Sequence, residues 1–150
     1  MKKARIFHVD DEVGAARLLK MNLEATGRYE VRVQNWPEEA LAAARAFQPD
    51  LILLDLVMPR MSGGSVVELF EHDPGLKDVP IAFFTASVRR ERVREHDGLS
   101  RNHPCLAKPA RLDEIAAFID ANLPEAVRAG LPGIPPPAAS QDANTSRPRP

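Results

Sequence analysis

The chain has 150 residues, 44% of them apolar and 27% charged, with a formal net charge of −1. Such values describe one ordinary globular domain with a short appendage, and near-neutrality gives no bulk attraction to nucleic acid or to an anionic membrane. The lone Cys105 excludes an internal disulfide, no apolar run nears the ~18 residues of a membrane span, and acids follow the basic start Met1-Lys2-Lys3-Ala4-Arg5 where a signal core would need apolar residues, so a cytoplasmic protein is expected.

The elements follow in order. Ala4 to Val9 reads as a first strand that ends on Asp10-Asp11-Glu12. Val13, Ala16, Leu19 and Leu23 recur at helical spacing and Gly27 stops them. Tyr29 to Gln34 alternates and is β-rich, as an outer strand does. Pro37 with Glu38 and Glu39 opens a second helix, whose stripe is Ala40, Leu41, Ala44 and Phe47. Leu51 to Leu54, bracketed by Pro49 and Pro59, is too short for a helix and reads as a strand buried on both faces.

Beyond the loop from Met58 to Gly64, Val66, Val67, Leu69 and Phe70 fit a short third helix, ended by Asp73-Pro74-Gly75. A fourth strand runs from Val79 to Phe84 and finishes at Thr85. Ser87 is placed to cap a fourth helix over about Val88 to Glu95, with a thin apolar face. Cys105-Leu106-Ala107 makes a short fifth strand, stopped by Lys108-Pro109. The fifth helix puts Leu112, Ile115, Ala116, Ile119 and Leu123 on one face, though Ala110 and Arg111 are poor caps.

Strands alternating with helices in this way predict an α/β fold, a doubly wound five-stranded parallel sheet with five helices on its two faces. Residues 1–123 form that domain. Residues 124–150 hold seven of the fourteen prolines and few large aliphatics, and are read as a flexible Pro-rich tail with one helical turn near Glu125 to Ala129.

In a parallel sheet the carboxyl ends of the strands line one edge, where ligands bind. Here those ends carry Asp10, Asp11, Asp55, Thr85 and Lys108. A buried unpaired carboxylate costs several kcal/mol, so Asp55 is no packing residue. Three carboxylates together call for a hard divalent cation or an ammonium, and magnesium suits a few carboxylates that leave room for water and a phosphoryl oxygen. Carboxylate, cation, hydroxyl and ammonium make a site for phosphoryl transfer to an aspartate.

Asp10-Asp11, the run Asp55-Leu56-Val57-Met58-Pro59-Arg60-Met61-Ser62-Gly63, Thr85-Ala86 and Lys108-Pro109 resemble the receiver domain of two-component response regulators, a flavodoxin-like fold, over about residues 4–123. The resemblance implies that Asp55 accepts a phosphoryl group from a histidine kinase or a histidine phosphotransfer protein. It implies that Asp11 and Asp55 bind Mg2+ with the backbone carbonyl of Val57, and Asp10 supports them through water. It also implies that Thr85 moves to the phosphoryl group, that Lys108 pairs with it, and that the Lys108–Pro109 bond is cis. The strand-five position that commonly swings as a switch aromatic is Cys105 here, so the signal is expected to leave through the Thr85 loop and the fourth helix. Such a chain is expected to be a single-domain signalling protein and not an enzyme in its own right, with output through an unknown downstream protein or onward phosphotransfer and not on nucleic acid or a membrane.

Blander readings stand beside these. Asp10 or Asp11 can cap the first helix. Arg89, Arg90, Arg92 and Arg94 suit a solvated face, and His8, His72, His96 and His103 lack metal-ligand spacing. A phosphorylation-independent interaction module of the same fold is the main alternative, against which the intact acceptor set counts. An aspartate-nucleophile phosphatase would want a second acid two residues past Asp55, where Val57 stands.

Overall fold

The computed structural model describes residues 2–86 and 103–133. Five strands, β1 (Ala4–Val9), β2 (Tyr29–Gln34), β3 (Leu51–Leu54), β4 (Ile81–Thr85) and β5 (Cys105–Ala107), form one sheet in the order β2-β1-β3-β4-β5. Every neighbouring pair is parallel. The described helices are α1 (Val13–Ala25), α2 (Ala40–Phe47, entered by a 3-10 turn over Pro37–Glu39), α3 (Gly63–Glu71), α4 (Leu112–Asn122) and a short α5 (Glu125–Ala129). The expected helix over Val88 to Glu95, with Ser87 and its arginines, lies outside the described residues, as does most of the loop before β5. No described helix is long and apolar enough to cross a membrane.

The alternation of strand side chains explains the layers. Phe7, Val9, Ile52, Leu54 and Phe83 point to one face, where they pack on Ala40, Ala44 and Phe47 of α2 and on Val66, Val67 and Phe70 of α3. Ala4, Ile6, Leu51, Leu53, Ala82 and Phe84 point to the other, against Leu19 and Leu23 of α1 and Ile115 and Ile119 of α4. Leu51 to Leu54 are all fully buried. Each such side chain contributes ~1.5–3 kcal/mol by burial, which anchors β3 at the centre of the sheet.

The helical stripes differ from expectation at their edges. Val13 is 60% exposed, and Leu69 and Leu112 are exposed as well. Val13 and Leu112 stand in the first turns of α1 and α4, so the spacing carries them past the buried arc. The fourth strand begins at Ile81, two residues later than its hydrophobic pattern, because Pro80 has no amide to donate and the Val79 amide bonds Leu76.

Residues 124–133 pack on the domain. Val127 and Leu131 lie against the α1/α4 core. Arg28 donates to the carbonyl of Pro132 and, at 2.5 Å, to Asp120, which also accepts from the Tyr29 hydroxyl at 2.5 Å. The proline-rich texture concealed this because two apolar residues and a backbone carbonyl make no periodic pattern. A chain ending at Leu123 should therefore melt roughly 5 °C or more below the full chain, and one ending at Gly133 within about 2 °C of it, by calorimetry; equal melting of the two would remove any stabilising role from the segment.

Gly63 is fixed by contact. A Cβ there would stand 2.7 Å from the Asp55 carbonyl oxygen and 2.8 Å from the Leu56 Cα, both backbone atoms that cannot step aside cheaply. At Gly14, on α1, a Cβ would meet nothing within 4 Å. We expect Gly63→Ala to destabilise by roughly 1–3 kcal/mol, and Gly14→Ala to stabilise by up to ~1 kcal/mol, in urea titrations. The same sign for both would disprove the close-approach argument.

Candidate functional site at the carboxyl edge of the sheet

The chain leaves β1 outward to β2 and later returns on the other side of β1 as β3, so a crevice opens between the ends of β1 and β3. Asp10 and Asp11 follow β1, and Asp55 follows β3. The Asp55 amide continues the ladder by donating to Val9 at 3.0 Å, and the Asp10 amide donates to Gln34 at 3.1 Å. Carboxylate oxygens of Asp10, Asp11 and Asp55 all lie within 4.8 Å of one another. The three aspartates picked from sequence thus form one cluster.

Asp10 is fully buried. Its Oδ1 accepts from the Glu12 amide at 2.9 Å, and Asn35 Nδ2 donates to its carbonyl at 2.8 Å. Glu12 holds the N-cap position of α1 and gives no side-chain cap, so neither aspartate caps the helix directly. Asp10 instead ties the helix entry to the strand. Its Oδ2 accepts from Lys108 Nζ at 2.5 Å, whereas the same nitrogen lies 3.9 Å from Asp55 Oδ2. Lys108 therefore reaches the cluster as expected, but its closer partner is Asp10.

Asp55 is held on three sides. Its Oδ1 accepts from the Val57 amide at 3.2 Å, and the Thr85 side chain hydrogen-bonds to it. Burial raises the Asp55 pKa, and the Asp10 charge adds to the rise; Thr85, the Val57 amide and Lys108 offset it only in part. Gly63 donates its amide to Leu56 at 3.0 Å, which sets α3 against the chain that leaves β3. The Lys108 amide bonds the Thr85 carbonyl at 3.0 Å, and the Lys108–Pro109 bond is cis.

Two neighbours complete the picture. His8, in phase with Ile6 on the α1 face, is buried beside Asp10 at 3.6 Å, and burial drives its pKa down to about 4, so it is neutral. It is structural in its surroundings, as its spacing indicated. Cys105 is half-buried against the α2/α3 core, and burial raises its thiol pKa, which makes it a quiet packing residue. Asn35, Gly63 and His8 belong to the supporting structure, and only Gly63 stands in a run quoted for the resemblance. Their roles follow from contacts with Asp10 and with the Asp55 backbone, which the fold and not the spacing creates.

Chemically, three carboxylates against one ammonium leave an excess of negative charge in an oxygen-only donor set. That is the donor chemistry a small hard cation takes. Without such a cation, the raised pKa of Asp55 means that the folded state holds its proton to higher pH than the unfolded chain. Stability contributed this way is present at low pH and lost as pH rises through the folded pKa. In chelator, Asp55→Asn should raise the urea midpoint at pH 7 by roughly a few tenths molar, with a smaller gain at pH 4. A gain that is larger at pH 4 would contradict this origin.

The family model of the response regulator receiver domain matches residues 6–120. Among curated proteins, the response regulator PleD of Caulobacter vibrioides is 41% identical over 116 residues, 77% of this chain and 24% of PleD. The DNA-binding dual master transcriptional regulator RpaA of Synechocystis sp. is 31% identical over 120 residues, covering 79% of this chain and 48% of RpaA. The chain thus spans about half or less of the length of these relatives. Among solved structures, the chemotaxis protein CheY4 of Vibrio cholerae superposes with a TM-score of 0.73 at 25% identity, over 81% of this chain and all of that one. With this match over residues 6–120 of a five-stranded parallel sheet, the chain belongs to the response regulator receiver domain family.

Proposed function

We propose that the protein is a phospho-acceptor of two-component signalling and that Asp55 takes the phosphoryl group. The observation that carries this is the placement of Asp55. It is a carboxylate at the end of the central strand, within 4.8 Å of two others and 3.9 Å from an ammonium. An Asp55 oxygen forms the new bond to phosphorus as the P–N bond of a donor phosphohistidine breaks and its electron pair leaves with the imidazole. Thr85, already hydrogen-bonded to Asp55, supplies a hydroxyl beside the incoming group, and Lys108 supplies a compact positive charge.

The donor set fits Mg2+, with Asp11 and Asp55 as carboxylate ligands, the Val57 carbonyl as a third, and Asp10 behind them. The ion would neutralise charge on the phosphoryl oxygens. Asp10 contributes by holding Lys108 in place, and the Val57 amide by orienting the acceptor carboxylate.

The donor in this reading is a histidine kinase or a histidine phosphotransfer protein in the cytoplasm. RpaA is named as DNA-binding, but this chain covers only 48% of it. Output by contact with a protein, or by onward phosphotransfer, is the reading adopted. Residues 124–150 are taken as an appendage to the receiver, docked through its first ten residues.

Incubation with acetyl phosphate and Mg2+ should add one phosphoryl group by intact mass. Asp55→Asn should take none, and Asp11→Asn should need a higher Mg2+ concentration for the same rate. Labelling of Asp55→Asn, or full labelling in excess chelator, would defeat the assignment.

A further inference from the structure

The loop after Asp55 carries a cation that the acceptor set does not use. The Arg60 guanidinium lies over the Trp36 ring, 4.4 Å from its centroid, and Nη1 donates to Glu38 at 3.0 Å. Trp36 follows β2, and its amide donates to the Gln34 side chain at 3.1 Å. The β3–α3 loop is thereby fastened to the β2–α2 turn. Between them runs a crevice of about 200 Å³, lined by Asp11, Val13, Trp36, Pro59 and Arg60. Its wall includes a carboxylate of the acidic cluster.

We propose that Arg60 is a docking cation for small dianionic phosphodonors, acyl phosphates in particular, which it orients in the crevice that reaches Asp11; this rests on the reading of Asp55 as acceptor. An acyl phosphate approaching three carboxylates is repelled by them. Lys108 stands on the β5 side and is engaged by Asp10 at 2.5 Å. Arg60 brings positive charge to the opposite, β2 side. A guanidinium has five N–H donors in a fixed fork, and Glu38 takes only the contact at Nη1, so an anion can be bound while the latch stays closed. The Trp36 face holds the fork in one plane, so little side-chain freedom is left to lose on binding. Arg60 is 61% exposed, open to a ligand from solvent.

In the step served, an Asp55 oxygen bonds to phosphorus, the P–O bond to the acyl group breaks, and its electron pair leaves on the carboxylate product. Phosphoramidate is the control. Its nitrogen is protonated near neutral pH, so it carries less net negative charge, and it departs as ammonia when the P–N bond breaks.

The test is the initial rate of Asp55 labelling by acetyl phosphate and by phosphoramidate, with Mg2+, at low and high salt. Arg60→Met should slow acetyl phosphate roughly three- to fivefold, the scale of one exposed charge contact, and phosphoramidate by less than about twofold. At ~1 M salt, where the Debye length is about 3 Å, the difference should vanish. Arg60→Lys should recover part of the loss. Glu38→Gln breaks the latch but keeps the cation, so its acetyl phosphate rate should equal or exceed that of the parent. Equal losses for both donors, or Glu38→Gln behaving as Arg60→Met does, would make the latch purely structural and overturn the inference. No effect of Arg60→Met would overturn it equally. A parent labelled by neither donor would overturn the acceptor reading and this inference with it, so the two failures are distinct.

Discussion

Balance of charge at one edge of an apolar sheet is the constraint on which the structure depends. Asp10 is fully buried and Asp55 nearly so, and a single ammonium stands against the cluster. Lys108 comes from the far end of the sheet, after a strand of only three residues, Cys105 and Leu106 half-buried and Ala107 exposed. Strand β5 has little apolar area of its own to fix it. Its ladder to β4 and the Lys108–Asp10 pair are what hold the ammonium at the crevice. Removing one member of a buried pair costs more than the pair contributes, since the partner is left uncompensated. Strand, lysine and acidic cluster therefore stand or fall together.

Around that centre, backbone contacts set tolerances that side-chain chemistry alone would not. Asp55 can face the cluster because α3 approaches its carbonyl without a Cβ in the way. Asp10 can turn one oxygen to Lys108 because Glu12 and Asn35 satisfy its other oxygen and its carbonyl. The site is thus rigid through its supports, with Thr85 at the end of the strand next to β3 and Lys108 reaching in from the edge strand beyond it.

Much of this was legible in the sequence. The run Leu51 to Leu54 named the central strand because four consecutive aliphatics can be buried only where both faces are covered, and Asp55 then had to be at its end. Asp10, Asp11, Thr85 and Lys108 followed from the same rule about strand ends. What periodicity could not carry was pairing at long range. Lys108 and Asp10 are 98 positions apart, and Arg28 and Asp120 are 92 apart. The docking of Val127 and Leu131 and the Trp36–Arg60 stack share this property. Each depends on where two segments meet in space, which local composition does not encode.

One consequence lies in the choice of side chain beside the crevice. Trp36 is the only tryptophan of the chain, 48% exposed, with a guanidinium over its ring and Asp11 across the hollow. Indole emission is sensitive to nearby charge and to solvent, so the whole tryptophan fluorescence of the molecule originates beside the edge that carries the three aspartates. A cation taken up at the aspartates, or an anion docked at Arg60, would alter the surroundings of that one fluorophore. The native protein carries its own optical reporter, and its edge can be followed in real time without a dye.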